Sequence, residues 1–184
     1  MSANVFAAPV SLQTARLLLR RNTPDDAKPM FETWAQDPEV TRFMTWAPHR
    51  SVEETHGYLE YCTTVWRART AFPWGIVERE TGALVGGIEA RVDGHRVEFG
   101  YVLARRVWGR GYATEASRAV VTLALSAPAI QRVWAYVDCE HTASVRVLEK
   151  AGLVREGCLR KWYVPSGFGV PRDIWSYAIV KEPS

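Results

Sequence analysis

Cysteine is scarce in this sequence: Cys62, Cys139 and Cys158 are the only three, and no two of them form a C-x-x-C pair. That excludes a disulfide scaffold and the familiar zinc-ligand spacings, and it leads us to expect a reducing compartment, structural thiols and no metal site. Long hydrophobic runs are missing too. No stretch of 18 apolar residues occurs, and the opening MSANVFAAPVSLQ lacks a basic start and a long apolar segment, so neither a membrane span nor a secretory leader is expected and the protein reads as cytoplasmic. Charge of one sign is not in excess either. A formal charge of +3 and a pI near 8.9 are too mild to argue for nucleic acid. The mononucleotide pattern G-x-x-x-x-G-K-[ST] is absent.

What is present suits one globular domain spanning residues 1–184, with a core over about 12–181. The chain is 47% hydrophobic and 23% charged, which permits a sizeable core and argues against disorder. Eight tryptophans are many for this length, and most are expected to fill that core.

Periodicity divides the chain. Residues 12–21, LQTARLLLRR, read as a strand that stops at Asn22, Thr23 and Pro24. A helix follows, capped by Thr23, with Ala27, Met30, Phe31 and Trp34 as its apolar stripe and Pro38 as its end. Ser51 and Glu54 stand at capping-box spacing before a second helix that buries Tyr58, Leu59, Cys62, Val65 and Trp66. Three antiparallel strands come next, turning at Glu80–Gly82 and at Asp93-Gly94. In the last of them Val97, Phe99, Tyr101 and Leu103 share one face; Glu98, Gly100 and Val102 share the other. A helix from about Gly111 to Ser126, the strand RVWAYVD, a helix over 142–151 stopped by Gly152, and two strands near 153–160 and 172–181 complete the order β-α-α-β-β-β-α-β-α-β-β.

One segment asks for a ligand. In RRVWGRGYATEA, residues 105–116, two glycines and three arginines stand between a strand and a helix start. Free amides at a helix N-terminus bind anions, and Gly109 and Gly111 are able to take positive φ and let a phosphate approach the backbone. Arg105, Arg106 and Arg110 add charge, so a diphosphate is a reasonable ligand; a glycine-rich connector with solvated arginines is the competing reading. A dinucleotide fold is disfavoured. Its third glycine slot holds Thr114, the position about 20 residues on is Gln131, and the preceding strand belongs to a hairpin.

These residues carry a resemblance. RVWGRG, residues 106–111, resembles the R/Q-x-x-G-x-G/A motif of the GNAT superfamily of acyl-CoA-dependent N-acetyltransferases. The segments TARLLLRR, VEFGYVL, GRGYATEA, HTASVRVLEKAG and RDIWSYAI follow the order of its RimJ/RimL-type branch, the ribosomal-protein N-terminal acetyltransferases. The resemblance implies a mixed α/β fold: a mostly antiparallel sheet of six to seven strands, splayed at the acyl-CoA site, with about four helices. It implies acetyl-CoA as cosubstrate, with the pyrophosphate on the amides of Trp108, Gly109, Arg110, Gly111, Tyr112 and Ala113. Arg106 belongs to the same motif. The pantetheine arm would lie along Tyr101, Val102 and Leu103, and the strand around Ala135 to Val137 would splay away to admit it. The acceptor is expected to be a protein N-terminus or a small-molecule amine, the protein a monomer or homodimer without direct nucleic acid or membrane binding.

Acetyl transfer needs a neutral amine, stabilisation of a developing oxyanion and a proton for the departing thiolate. Glu98 is the first candidate base, against the reading of a solvated carboxylate or arginine partner; Glu156 is second, and a water relay stays open. Many family members take their acid from a tyrosine at the position that here holds Leu148. Ser144 is the remaining candidate acid, or simply a polar residue near a helix start. His141 replaces the family's asparagine contact to CoA, and an N-cap or solvent-facing role is its alternative. The resemblance places FMTWAPHR, the second helix and the hairpin from Tyr163 to Arg172 over the acceptor side, where Trp46 and Tyr163 would line the cleft or merely pack.

Overall fold

The computed structural model describes residues 6–182, so residues 1–5 of the segment read for a leader lie outside it. The stretch 12–21 forms two strands, β1 (Ser11–Gln13) and β2 (Leu17–Arg21). Thr14 makes the break: its hydroxyl oxygen accepts the Leu17 amide at 3.0 Å and its hydroxyl donates to Glu115 Oε1 at 2.6 Å. The first predicted helix is also subdivided. A 3-10 turn over Pro24–Asp26 leads into α1 (Ala27–Met30), then a π-turn over Phe31–Ala35, then α2 (Pro38–Thr41). Pro29 explains this, because it has no N–H to donate within α1 and its ring crowds the preceding turn. Pro38 opens α2 as well as closing its predecessor, with Asp37 Oδ1 accepting the Glu39 amide at 2.9 Å.

The long helix α3 (Val52–Ala68) starts after Ser51, but Glu54 caps the Arg50 amide at 2.8 Å in place of the predicted reciprocal box. Strands β3 (Ala71–Glu78), β4 (Leu84–Asp93) and β5 (Arg96–Leu103) form the antiparallel succession read from the sequence. After them come α4 (Tyr112–Ser126), β6 (Arg132–Asp138), α5 (Thr142–Lys150), β7 (Val154–Tyr163) and β8 (Arg172–Val180). All eight strands join one sheet in the order β1-β2-β3-β4-β5-β6-β8-β7. Among the described residues the only parallel neighbours are β5 and β6, which gives a mixed α/β fold.

The core joins Leu17, Leu19, Trp74, Ile76, Ile88 and Val97 of the sheet to Ala116 and Val120 of α4, each at most 2% exposed. Each large side chain so buried stabilises the fold by about 1.5–3 kcal/mol. Trp34 and Trp74 are core residues, Trp46, Trp66 and Trp175 pack against the core, and Trp108 and Trp162 are exposed. Among the described residues no helix is long and apolar enough to cross a membrane, and no group of three or more His, Cys, Asp or Glu side chains could hold a metal ion.

Candidate active site

The loop between β5 and α4 has the backbone geometry its glycines allow. Gly109 and Gly111 have φ of +77° and +79°, a region that costs an ordinary L-residue roughly 1–2 kcal/mol. Gly111 is the N-cap of α4, and among the described residues no side chain caps that end. The first bond of the helix runs from the Glu115 amide to Gly111 O at 3.1 Å, so the amides of Tyr112, Ala113 and Thr114 leave the helix start without an intrahelical acceptor. The Trp108 amide, by contrast, is spent on Arg105 O at 3.1 Å, and its indole N–H on Leu103 O at 2.8 Å.

The three arginines have protein partners. Arg105 pairs with Asp37 at 3.2 Å, Arg106 donates to Leu84 O at 3.3 Å, and Arg110 pairs with Glu78 at 3.3 Å. Tyr112 donates to the same Glu78 oxygen at 2.5 Å. Hydrogen bonds from Tyr112 and Thr81 and the charges of Arg110 and Arg106 hold the Glu78 carboxyl below its ordinary range against its desolvation. These side chains brace the loop.

Beyond the loop the sheet opens into a fork. Strands β5 and β6 pair only at Arg96–Arg132, Val97–Val133 and Glu98–Trp134, after which β5 stays with β4 up to Leu103 and β6 stays with β8 up to Asp138. This is the splay expected around Ala135 to Val137. The Ala104 amide bonds Val85 O at 2.9 Å. By the alternation of an antiparallel ladder, Val102, Gly100 and Glu98 then turn their backbone groups to β4, whereas Leu103, Tyr101 and Phe99 turn theirs into the fork. An extended amide ligand would therefore meet Tyr101 and Leu103 by their backbone, but not Val102.

Two hydroxyls meet across the opening. Tyr101 of β5 and Ser144 in the first turn of α5 lie 2.7 Å apart, oxygen to oxygen. Burial pushes the Tyr101 phenol well above its ordinary value, only partly offset by Ser144, so the hydroxyl keeps its proton. Leu148, one turn further along α5, is 1% exposed and belongs to the core. Sequence reasoning assigned Tyr101 by its backbone and missed its hydroxyl; the alternation that put Tyr101 on the face opposite Glu98 was the available signal.

On that opposite face Arg91 binds two carboxylates, Glu98 Oε1 at 3.0 Å through Nη1 and Glu89 Oε1 at 2.6 Å from Nε. Glu156 is engaged elsewhere, in an ion pair with Arg132 where β5 and β6 are still joined.

Two of the segments named from the sequence meet each other near the end of β6. Ser166 and Gly167 donate their amides to Met44 O at 2.8 Å and Arg42 O at 3.2 Å, tying the turn after β7 to the segment after α2. Beneath them Asp138, with its side chain fully buried, accepts Arg172 Nε at 2.5 Å and Nη2 at 2.9 Å, the Tyr163 hydroxyl at 3.1 Å and the Glu140 amide at 2.9 Å. Tyr163 therefore does reach the fork's edge, its ring 5.8 Å from that of Tyr136. His141 takes the N-cap position of α5, makes no side-chain cap bond, and stacks on Phe43 at 4.3 Å between centroids. Burial lowers its pKa against the pull of Asp138, and Arg42 lowers it further, so the ring is neutral at pH 7. Trp46 packs beside His49 at 5.4 Å between centroids.

Removal of the Arg172 guanidinium should expose what the Asp138 network contributes. Desolvation alone would raise the Asp138 pKa, but Arg172, the Glu140 amide and Tyr163 outweigh it and hold the carboxyl below its ordinary value. A depressed carboxylate pKa adds stability that is complete above the unfolded-state pKa, near 4, and is lost as pH falls through the folded-state value. Arg172→Met should cost about 3 kcal/mol in urea unfolding at pH 7, with the deficit shrinking below about pH 4.

The acetyltransferase (GNAT) domain family matches residues 16–154. The chain belongs to the GNAT acetyltransferases. This GNAT protein is 34% identical over 173 residues to the uncharacterized N-acetyltransferase YoaA of Bacillus subtilis (strain 168), covering 92% of this chain and 96% of that protein. Its fold is shared by the microcin C7 self-immunity acetyltransferase MccE, solved in complex with acetyl-CoA and AMP, with a TM-score of 0.86, 17% identity and coverage of 96% and 99% of the two chains. The ribosomal-protein-S5-alanine acetyltransferase of Vibrio fischeri shares it too, with a TM-score of 0.81, 18% identity and coverage of 95% and 98%. Membership makes the protein an acetyl-CoA-dependent acetyltransferase. The loop fits the anionic part of that cosubstrate: three helix-start amides lack intrahelical partners, and a Cβ added at Gly109 would meet nothing within 4 Å.

Proposed function

We propose that the chain works as one domain that acetylates a primary amine, most specifically the α-amine of a protein or peptide N-terminus. The observation that carries this reading is the fork, which runs from the glycine loop to the Tyr101–Ser144 hydroxyl couple and is flanked by Glu98. Acetyl-CoA supplies an activated thioester. The amides of Gly109, Gly111, Tyr112 and Ala113 hold its pyrophosphate, with Trp108, Arg106 and Arg110 bracing them, and the backbones of Tyr101 and Leu103 align its pantetheine arm. His141 and Phe43 close the α5 end, and Tyr163 lines the acceptor side with Trp46 in the adjoining wall. Ser144, bonded to Tyr101, gives a proton to the departing sulfur. Glu98 takes the proton from the amine, directly or through water.

The acidity of the acceptor favours the α-amine. Glu98 is paired with Arg91 at 3.0 Å, and a lysine with a pKa near 10.4 is only about 0.04% neutral at pH 7. An α-amine near 7.7–8.0 is roughly 10–15% neutral and easier to deprotonate by roughly 3–4 kcal/mol. With a peptide α-amine acceptor, kcat/KM should rise about tenfold per pH unit below the amine pKa and level off near pH 8. A rise continuing towards pH 10 would mark a lysine acceptor. Thiol release against a panel of amines tests turnover, and its absence across the panel would favour an acyl-CoA-binding module. Mass spectrometry of ribosomal proteins from a deletion strain tests the ribosomal acceptor; unchanged masses throughout would favour a small-molecule amine.

A further inference from the structure

Two thiols have no part in the chemistry described so far, and the fold brings them together. All three cysteines are free, with Cys62 buried, Cys139 partly exposed and Cys158 exposed. Cys139 follows Asp138 in the turn between β6 and α5, and its amide donates to Asp173 O of β8 at 3.1 Å. Cys158 lies in β7 opposite Trp175 of β8, which itself stands opposite Val137 of β6. Paired residues share a face, so Cys158 lies on the face of Val137, and alternation puts Cys139, two residues on, there as well. Helix α5 packs on that face, where Tyr177 donates to Glu149 at 3.1 Å. Beneath it the Cys139 and Cys158 thiols interact side chain to side chain.

The two members of this pair differ in readiness to react. Burial, and then the negative charge of an ionised Cys158, push the Cys139 thiol up to about 11. Cys139 therefore keeps its proton while Cys158 is a free thiol. Cys158 is the exposed member and meets an oxidant first. Once its sulfur is oxidised it carries no thiolate charge, and one of the causes that hold the proton on Cys139 is gone.

Joining the two sulfurs requires movement. Strands two apart in a sheet are separated by about 9.5 Å, and the Cα atoms of a disulfide by at most about 7 Å. Cys158 is held in the ladder, where Gly157, Cys158 and Leu159 pair in succession with Ser176, Trp175 and Ile174. Cys139 stands past the last pair of β6 and is the more readily displaced. Its turn is tied by the Glu140 amide to Asp138 Oδ1 and by the His141 amide to Asp138 O, both at 2.9 Å. The turn leads directly into the first turn of α5, which carries Ser144.

We propose that Cys139 and Cys158 are an oxidative modification site, which closes to an intramolecular disulfide when a hydroperoxide reaches Cys158. The peroxide O–O bond breaks; one oxygen joins the Cys158 sulfur as a sulfenic acid and the other leaves as water or an alcohol. The Cys139 sulfur then attacks the Cys158 sulfur. The S–S bond forms, the S–O bond breaks, and the departing hydroxide takes the Cys139 proton as water. The two thiols together give up two electrons to the peroxide, and a dithiol reverses the bond by exchange. Closure draws the turn after β6 towards β7 and shifts Ser144 relative to Tyr101. That consequence rests on the Tyr101–Ser144 couple serving acetyl transfer; the bond itself does not.

Peptide mass spectrometry on the folded, full-length protein tests the bond. After hydrogen peroxide and alkylation of the remaining thiols in denaturant, the Cys139 and Cys158 peptides should appear joined, lighter than their sum by two hydrogens, with Cys62 alkylated. Cys62→Ser should give the same product. Cys158 recovered as a sulfinic acid, or joined to a second molecule, with Cys139 alkylated, would overturn the proposal. Acetyl transfer by the crosslinked protein should fall by about tenfold or more and return with dithiothreitol, because a misplacement of ~1 Å at reacting groups can cost 100-fold. Cys139→Ser should keep its rate through the same treatment. An unchanged rate in fully crosslinked protein would overturn the coupling to Ser144. Absence of acetyl transfer even in the reduced protein would count against the acetyl-transfer reading alone, because the crosslink is read without any substrate.

Discussion

Replacing Gly109 and Gly111 together by valine should raise the dissociation constant for CoA by about 100-fold, with circular dichroism unchanged. Both residues hold left-handed φ, +77° and +79°. At roughly 1–2 kcal/mol each, the combined strain is worth about 30- to 1,000-fold in binding if the ligand needs the loop in this shape. A Cβ at Gly109 meets no protein atom within 4 Å, so the free loop has room for the side chain and the loss should fall on the complex. Gly94 provides the control. It too has positive φ, +58°, and open space around it, but it turns the β4–β5 hairpin at the other end of the strand from the loop. Gly94→Val should cost comparable stability and leave CoA affinity alone. If both substitutions weakened CoA equally, the amide cradle would not be the anion site.

That loop was legible in the sequence because its signal is local. Glycine at two positions before a helix start has few physical explanations, and the strand, loop and helix are contiguous in the chain. The fork was legible only through resemblance, since the parting of β5 from β6 depends on residues more than thirty positions apart. The two-strand opening and the broken first helix had local causes, in Thr14 and Pro29, but both residues sit inside hydrophobic patterns that overrode them in the periodicity. The covering segments were named, yet not the network beneath them. Arg172 finds Asp138 across the β6–β8 pairing and Arg42 finds Phe168 at 5.0 Å, contacts that no spacing in the sequence announces. The arginines of the loop show the same limit. Their number suggested a ligand charge, and the fold also gives each a protein partner, because a guanidinium near a carboxylate or a free carbonyl gains charge-assisted hydrogen bonds.

Removal of the hydroxyl couple should produce the largest loss in turnover. Ser144→Ala should lower kcat by about 100-fold, the lower end of what general acid catalysis contributes, because a thiol with a pKa near 8.5 is already a fair leaving group. The KM for acetyl-CoA should change little, since the loop amides and the β5 backbone proposed to hold it are untouched. Tyr101→Phe should give a similar loss if the phenol orients the serine through their 2.7 Å bond. The double variant should then be no worse than either single one, the mark of two groups acting as a unit. Ser144→Thr keeps a hydroxyl and should recover part of the rate. The dependence on pH follows from the leaving group: burial keeps the Tyr101 hydroxyl protonated across the working range, so the couple does not titrate away. Above about pH 8.5, however, the free thiolate is itself the stable product form, and protonating it no longer drives the step. The ratio of native to variant kcat should therefore narrow from pH 7 to pH 9.5. A ratio that stays constant over that range would assign Ser144 and Tyr101 to shaping the fork rather than to proton transfer.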